Sequence, residues 1–271
     1  MEKEDAQKQM SFLGHLEELR WKLMKSAIAI IVIACVLFYY TTPVIEHIYL
    51  AMAENDFPTY LFFCKLTRSI GLEGMMCAND IPIDLQSIEM TKQFSTNMYF
   101  ALVGAIVISF PFIFQQLWSF LKPGLKENEI KATRGIVFFS SILFFLGVLF
   151  GYYIISPLCV QFFGGYKLSS EIQNNFTISS YMSMITTSTF FSGLFFELPI
   201  VIYLLSKLGL VSSSMLKKYR KHALVGILLL SAIITPPDVI SQVLVSIPIL
   251  LLYEIGIYVS KIVEKKKNLS N

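Results

Sequence analysis

From Trp21 the chain reads WKLMKSAIAIIVIACVLFYY to Tyr40, and the fifteen residues from Ser26 onward carry no charge. A helix crossing a hydrocarbon core of ~30 Å needs roughly 20 mostly apolar residues. In lipid the backbone must satisfy its own hydrogen bonds, which leaves helices and closed barrels as the only spanning structures. This stretch is therefore expected to be a transmembrane helix, and similar runs recur along the chain. Spans are expected at about 21–40, 94–121, 135–163, 181–205, 223–235 and 239–259. The fifth is short, about 20 Å at 1.5 Å per residue, and a re-entrant segment is its alternative. Pro236-Pro237 favours a short span with a sharp hairpin into the sixth, because proline cannot continue a helix. The expected fold is an all-α integral membrane protein of six transmembrane helices, read as one domain over 1–271.

Composition agrees. Of 271 residues, 55% are hydrophobic and 15% charged, with mean hydropathy +0.62 and net charge +3. Soluble domains carry about 25% charged residues. Disorder needs low hydrophobicity and high net charge. A net charge this small leaves no basic footprint for nucleic acid. Eighteen of the 22 Lys and Arg fall in the N-terminus, the 2–3 loop, the 4–5 loop and the C-terminus; Lys65, Arg68, Lys92 and Lys167 lie on the other side. That asymmetry places both termini in the cytoplasm. The first 25 residues hold neither an apolar core of signal-peptide length nor a small-residue cleavage site, so the N-terminus is expected to remain on the mature protein.

The outer loop, 41–93, is the only long one, broken by Pro43, Pro58 and Pro82; Ile45–Met52 is expected to form a short helix against the first span. Cys35 and Cys159 fall inside spans, where a small apolar role suffices. Cys64 and Cys77 enclose 12 residues of this external loop and are expected to form a disulfide in an oxidising compartment. Nucleotide-binding, hydrolase and zinc-protease motifs are absent, and His15, His47 and His222 sit in separate segments. No enzyme, cofactor or metal is expected.

Charges inside apolar runs are costly, at least ~2.5–3.5 kcal/mol at mid-bilayer, so they carry the functional reading. Glu197 lies well inside the fourth span, in GLFFELPIVIYLL, and is expected to face a wet cavity or a polar partner helix. Pro199, two residues on, frees the carbonyl of Phe195 and kinks the helix. Glu254 is read equally as an interfacial residue near Lys261 or as functional. Asp238 is placed to cap the sixth helix, and Gln242 to bond a neighbouring helix. On the cytoplasmic side, residues 11–20 are expected to form an amphipathic helix that lies on the surface before the first span. Its Glu17 and Glu18, with Glu127 and Glu129 of the 2–3 loop, are acids on an otherwise basic face. Carboxylates there suit a cationic ligand, and arginine binds them in a bidentate way.

Read in order, His15-Leu16-Glu17-Glu18-Leu19-Arg20, Phe110-Pro111, Gln116-Leu117-Trp118, Phe120-Leu121-Lys122-Pro123-Gly124-Leu125, Glu129, Phe196-Glu197-Leu198-Pro199, Arg220-Lys221, Thr235-Pro236-Pro237-Asp238 and Gln242 resemble the TatC family, the receptor subunit of the twin-arginine protein translocase. The resemblance implies six helices in a cupped arrangement with the fifth and sixth short. It also implies a multi-pass protein of the bacterial inner membrane that recognises twin-arginine signal peptides of folded precursors at the cytoplasmic face. Export would be driven by the proton-motive force, with single-span TatA-type and possibly TatB-type partners, surrounding lipids and further copies of the chain. Carried over, Glu18 and Glu129 would pair with the signal arginines, and Arg20 would order the amphipathic helix or that site. Glu197, Gln242, Phe94 and Phe120 would serve contacts within the membrane or with partners, while Pro199, Pro236, Pro237 and Asp238 would shape the helices. A small-molecule secondary transporter that uses Glu197 for proton coupling is the alternative reading.

Overall fold

A computed structural model describes residues 12–54, 56–69, 85–122, 135–167, 169, 175–234 and 239–270. Five helical stretches among them are long and apolar enough to cross a membrane: Gly14–Tyr39, Lys92–Leu121, Ile136–Gly165, Ile178–Lys207 and Val245–Lys266. The helix expected as the fifth span, Arg220–Ile234, has 15 residues, about 22 Å, and stays below crossing length.

The first helix, α1 (Phe12–Tyr39), corrects one expectation. The amphipathic segment is not a separate surface helix; it is the opening of one 28-residue helix that includes the first span. Neither Gly nor Pro occurs between His15 and Thr42, so nothing interrupts the hydrogen-bond ladder where the amphipathic pattern gives way to the apolar one. At ~42 Å, α1 is longer than the ~30 Å core, and its polar first turns extend beyond it.

The outer loop is more structured than its prolines suggest. Helix α2 (Thr41–Val44) runs into a π turn, Ile45–Tyr49, and a 3-10 turn, Leu50–Ala53. Pro43 lies within α2 rather than ending it, and Pro58 opens a second helix, α3 (Pro58–Ser69). The expected seat on the first span is also corrected. Tyr49 and Met52 are buried with Phe57, Tyr60, Phe100, Val160, Tyr181, Met182 and Ile185, so this cap rests on the second, third and fourth spans. Polar side chains fasten it. Tyr181 donates to the Tyr49 carbonyl at 2.8 Å, Tyr152 to that of Ile48 at 2.6 Å and Tyr60 to that of Met52 at 3.0 Å. Tyr49 itself bonds Thr186 at 2.8 Å. Burial pushes the Tyr49 and Tyr60 hydroxyls above the ordinary tyrosine range, so both remain protonated. Irregular backbone near a membrane is tolerated where protein buries and satisfies it, and these tyrosines do so.

Helix α4 (Lys92–Leu121) is the second span. The third runs through α5 (Ile136–Phe150), a π turn at Gly151–Ile155 and α6 (Ser156–Gly165). Two residues, Leu85–Gln86 (β1), pair in parallel with Phe176–Thr177 (β2), a small departure from an all-helical chain. The fourth span is α7 (Ile178–Phe196) followed by α8 (Leu198–Lys207). Then come α9 (Ser213–Lys218), α10 (Arg220–Ile234) and α11 (Val239–Ser270).

The third and fourth spans meet through glycines. A Cβ on Gly147 would stand 2.7 Å from the Ser192 carbonyl oxygen. One on Gly151 would stand 2.7 Å from Thr189 Cα, and one on Gly193 2.8 Å from the Phe144 ring. Gly147 and Gly151 form a G-x-x-x-G pair, a pattern that lets helix backbones approach in lipid, where apolar burial between helices offers little drive.

Candidate functional site

Two regions hold the residues singled out above. The first is the N-terminal end of α1. Glu18 is partly buried, and Lys22, one turn on, pairs with its Oε1 at 2.5 Å. Its Oε2 is buried and has no hydrogen-bond partner among the described residues. One carboxylate is thus half neutralised by its own helix and half unengaged. A second cation placed at Oε2 would complete it, and a guanidinium matches that need because it donates in a plane. Arg20 and Glu17 are exposed. The inner end of α4 closes on this region, with the His15 ring stacked on Phe120 at 4.2 Å and 18°. Glu127 and Glu129, which the sequence also assigns here, lie outside the described residues, as do Pro236, Pro237 and Asp238.

The second region surrounds Glu197. Pro199 lacks the N–H that would bond the Phe195 carbonyl, and the helix breaks two residues earlier. Glu197 ends α7 at φ −76°, ψ −8°, and its N–H turns to the Leu194 carbonyl at 3.1 Å. Its own carbonyl then accepts from both Ile200 and Val201 at 3.0 Å, which starts α8 with the buried Pro199 in its first turn, where proline costs no hydrogen bond. The side chain is 7% exposed. Ser140 on α5 donates to its Oε2 at 2.7 Å, while Oε1 is buried and unpartnered among the described residues. The carboxyl is therefore anchored from within the chain and keeps one acceptor for a further donor.

The remaining residues do not gather at either region. Phe94 and Phe120 sit 26 residues apart on α4, ~39 Å along the axis, so one partner helix end cannot touch both. Phe94 is 60% exposed and meets Phe38 edge-on at 5.9 Å. Gln242 donates to the Leu228 carbonyl at 3.1 Å, tying α11 to α10. Glu254 pairs with Arg220 at 2.6 Å rather than with Lys261. Neither Cys35 nor Cys159 is in a disulfide. Cys64, on α3, is disulfide-bonded, and Cys77 lies outside the described residues.

Sequence reasoning passed over Glu264. Its two oxygens accept from the Ser213 N–H at 2.7 Å and the Ser213 hydroxyl at 2.6 Å. With the Tyr253 hydroxyl on the Leu216 carbonyl at 2.9 Å, it clamps α9 to α11, while the Arg220–Glu254 pair ties the start of α10 to the same helix. The sequence offers only Ser212, a helix-opening residue whose hydroxyl accepts from Met215 at 3.2 Å, as a signal for that helix.

The family described as Sec-independent protein translocase protein (TatC) matches residues 14–248. The chain belongs to the TatC family. A TatC from Blattabacterium sp. subsp. Periplaneta americana is 38% identical over 263 residues, covering 96% of this chain and 98% of that one. TatCy of Bacillus subtilis is 33% identical, covering 97% of this chain and 93% of its own. A crystal structure of the twin-arginine translocase receptor TatC superposes with TM-score 0.67 at 30% identity over 92% of this chain and 99% of that one. The same receptor in the detergent DDM gives TM-score 0.70 at 30% identity. Family and fold together make this chain a multi-pass membrane protein of the translocase type and not an enzyme.

Proposed function

We propose that this TatC-family chain is the receptor subunit that binds twin-arginine signal peptides at the cytoplasmic face of the bacterial inner membrane. There it nucleates export driven by the proton-motive force. The observation that carries the reading is the Glu18 carboxylate, which holds one oxygen on Lys22 and leaves the other buried and unpartnered among the described residues. Glu129 supplies the second carboxylate and Arg20 orders the site. The test is photo-crosslinking from a probe beside the arginines of a folded precursor, with adducts expected at α1 and at the loop after α4.

Glu197 serves a later step, in which its free acceptor meets a polar group of a TatA-type or TatB-type single-span partner. The variant Glu197→Ala is expected to bind signal peptide within about twofold of the parent, yet to lose co-purifying single-span partner, because an unpartnered acceptor in lipid gains most from a donor brought by another helix. Loss of signal binding in that variant would remove the division between the two regions. The proposed Cys64–Cys77 bridge is tested by mass spectrometry of oxidised membranes, where a disulfide-linked peptide pair is expected; two free thiols would exclude it.

A further inference from the structure

We infer that α3, which the sequence places in the outer loop, is an interfacial anchor that binds anionic phospholipid of the outer leaflet, with acyl chains against Leu61 and Phe62 and the head group on Lys65 and Arg68. The inference stands apart from the signal-binding reading. It needs only that the third helical stretch crosses the membrane.

One hydrogen bond sets the depth. Pro157 has no N–H to offer the Tyr153 carbonyl four residues earlier. Thr59 serves instead, its hydroxyl donating to that carbonyl at 2.5 Å. Phe57 adds a second contact at this level, stacked on the Tyr153 ring at 6.0 Å and 19°. Ile136–Gly165 has 30 residues, about 45 Å of helix. Against a core of ~30 Å, at most ~15 Å of it projects past the outer boundary. Tyr153 lies 12 residues below Gly165, about 18 Å. The first turn of α3 therefore meets the third span at or below the edge of the hydrocarbon. Tilt of the helix, or projection at its inner end, takes that contact deeper.

The faces of α3 fit this depth. Thr59, Tyr60 and Thr67 are buried and turn one side to the protein. Leu61 is 51% exposed and Phe62 63%, and Lys65 and Arg68 are exposed as well. Leu61, Lys65 and Arg68 follow at i, i+4 and i+7, with Phe62 beside them, so the four share one stripe. Lipid chains cover its apolar half, and the long stems of Lys65 and Arg68 carry their charges up to the phosphates. Neither cation has an ion pair among the described residues. A protein partner laid on this stripe would bury both without a counter-ion from this chain, whereas an anionic head group supplies one.

The test uses the full chain carrying Phe62→Trp in nanodiscs of mixed phosphatidylcholine and phosphatidylglycerol. The parent, with Trp21 and Trp118, gives the background emission. The added emission is expected to be quenched by lipid brominated on the upper acyl chain and spared by aqueous iodide. Bromine on phosphatidylglycerol alone is expected to quench about two- to fivefold more than bromine on phosphatidylcholine alone at equal content, the scale of one basic residue at an anionic surface. Adding Lys65→Gln and Arg68→Gln to Phe62→Trp is expected to bring that ratio close to one. Quenching by iodide and not by bromine would put α3 in water and overturn the inference. Quenching by neither would show that protein, a second copy or a single-span partner, covers the stripe, and would overturn it too. A ratio near one before the two cations are changed would overturn the binding of anionic lipid.

Discussion

The double variant Glu18→Ala/Glu129→Ala is expected to lose recruitment of twin-arginine precursors altogether. A carboxylate that accepts charged hydrogen bonds contributes about 1.5–3 kcal/mol, or roughly ten- to a hundredfold in affinity for each site. Removing both takes away two such contributions. It also leaves a face that carries Lys22, Lys25 and the basic residues of the 2–3 loop with less acid to offset them, so a cationic leader would meet net repulsion. Lys22 loses its partner as Glu18 is truncated. The isosteric pair Glu18→Gln/Glu129→Gln separates charge from shape and is expected to fail as well, because an amide cannot hold a guanidinium as a carboxylate does. Co-purification of a folded precursor with each variant, at two salt concentrations, reads the effect. Recruitment at the parent level by the double variant would end the assignment of these acids to signal binding.

The second large effect is expected at the glycine seam. Gly151→Leu should abolish the native fold or lower its melting temperature sharply in detergent. A Cβ there would stand 2.7 Å from Thr189 Cα and 2.8 Å from Ser192 Cβ. These atoms belong to or adjoin the main chain of α7 and cannot rotate away. Extra methylenes in a well-packed core cost about 1–3 kcal/mol; here the whole helix must move, and lost packing between α5 and α7 adds to that. The Ser140–Glu197 bond spans the same two helices, so separation would also release the Glu197 carboxyl. Gly226 on α10 is the control, because a Cβ there meets nothing within 4 Å among the described residues. Gly226→Ala is expected to be neutral or to stabilise by up to about 1 kcal/mol through helix propensity. A Gly151→Leu protein that melts like the parent would show that the seam can open without cost.

The apolar runs alone placed five membrane-length helices and the shorter Arg220–Ile234, because lipid permits few backbone solutions and length then decides which runs can cross. Pro199 made the break in the fourth span legible, since a missing N–H acts locally. Glu197 stood out because a charge within an apolar run is conspicuous whatever packs around it. The ordered motifs from His15 to Gln242 carried the family. Tertiary structure alone decided that the outer cap sits on three other spans, that Glu264 clamps α9 and that Glu254 ties α10 to α11. The same holds for Ser140 as the partner of Glu197 and for the stacking of His15 on Phe120. Each of these joins residues far apart in the chain, and the pairing is set by which faces meet once several helices pack. Local pattern carries a residue's cost and its periodicity; it carries no information about the residue that will stand opposite.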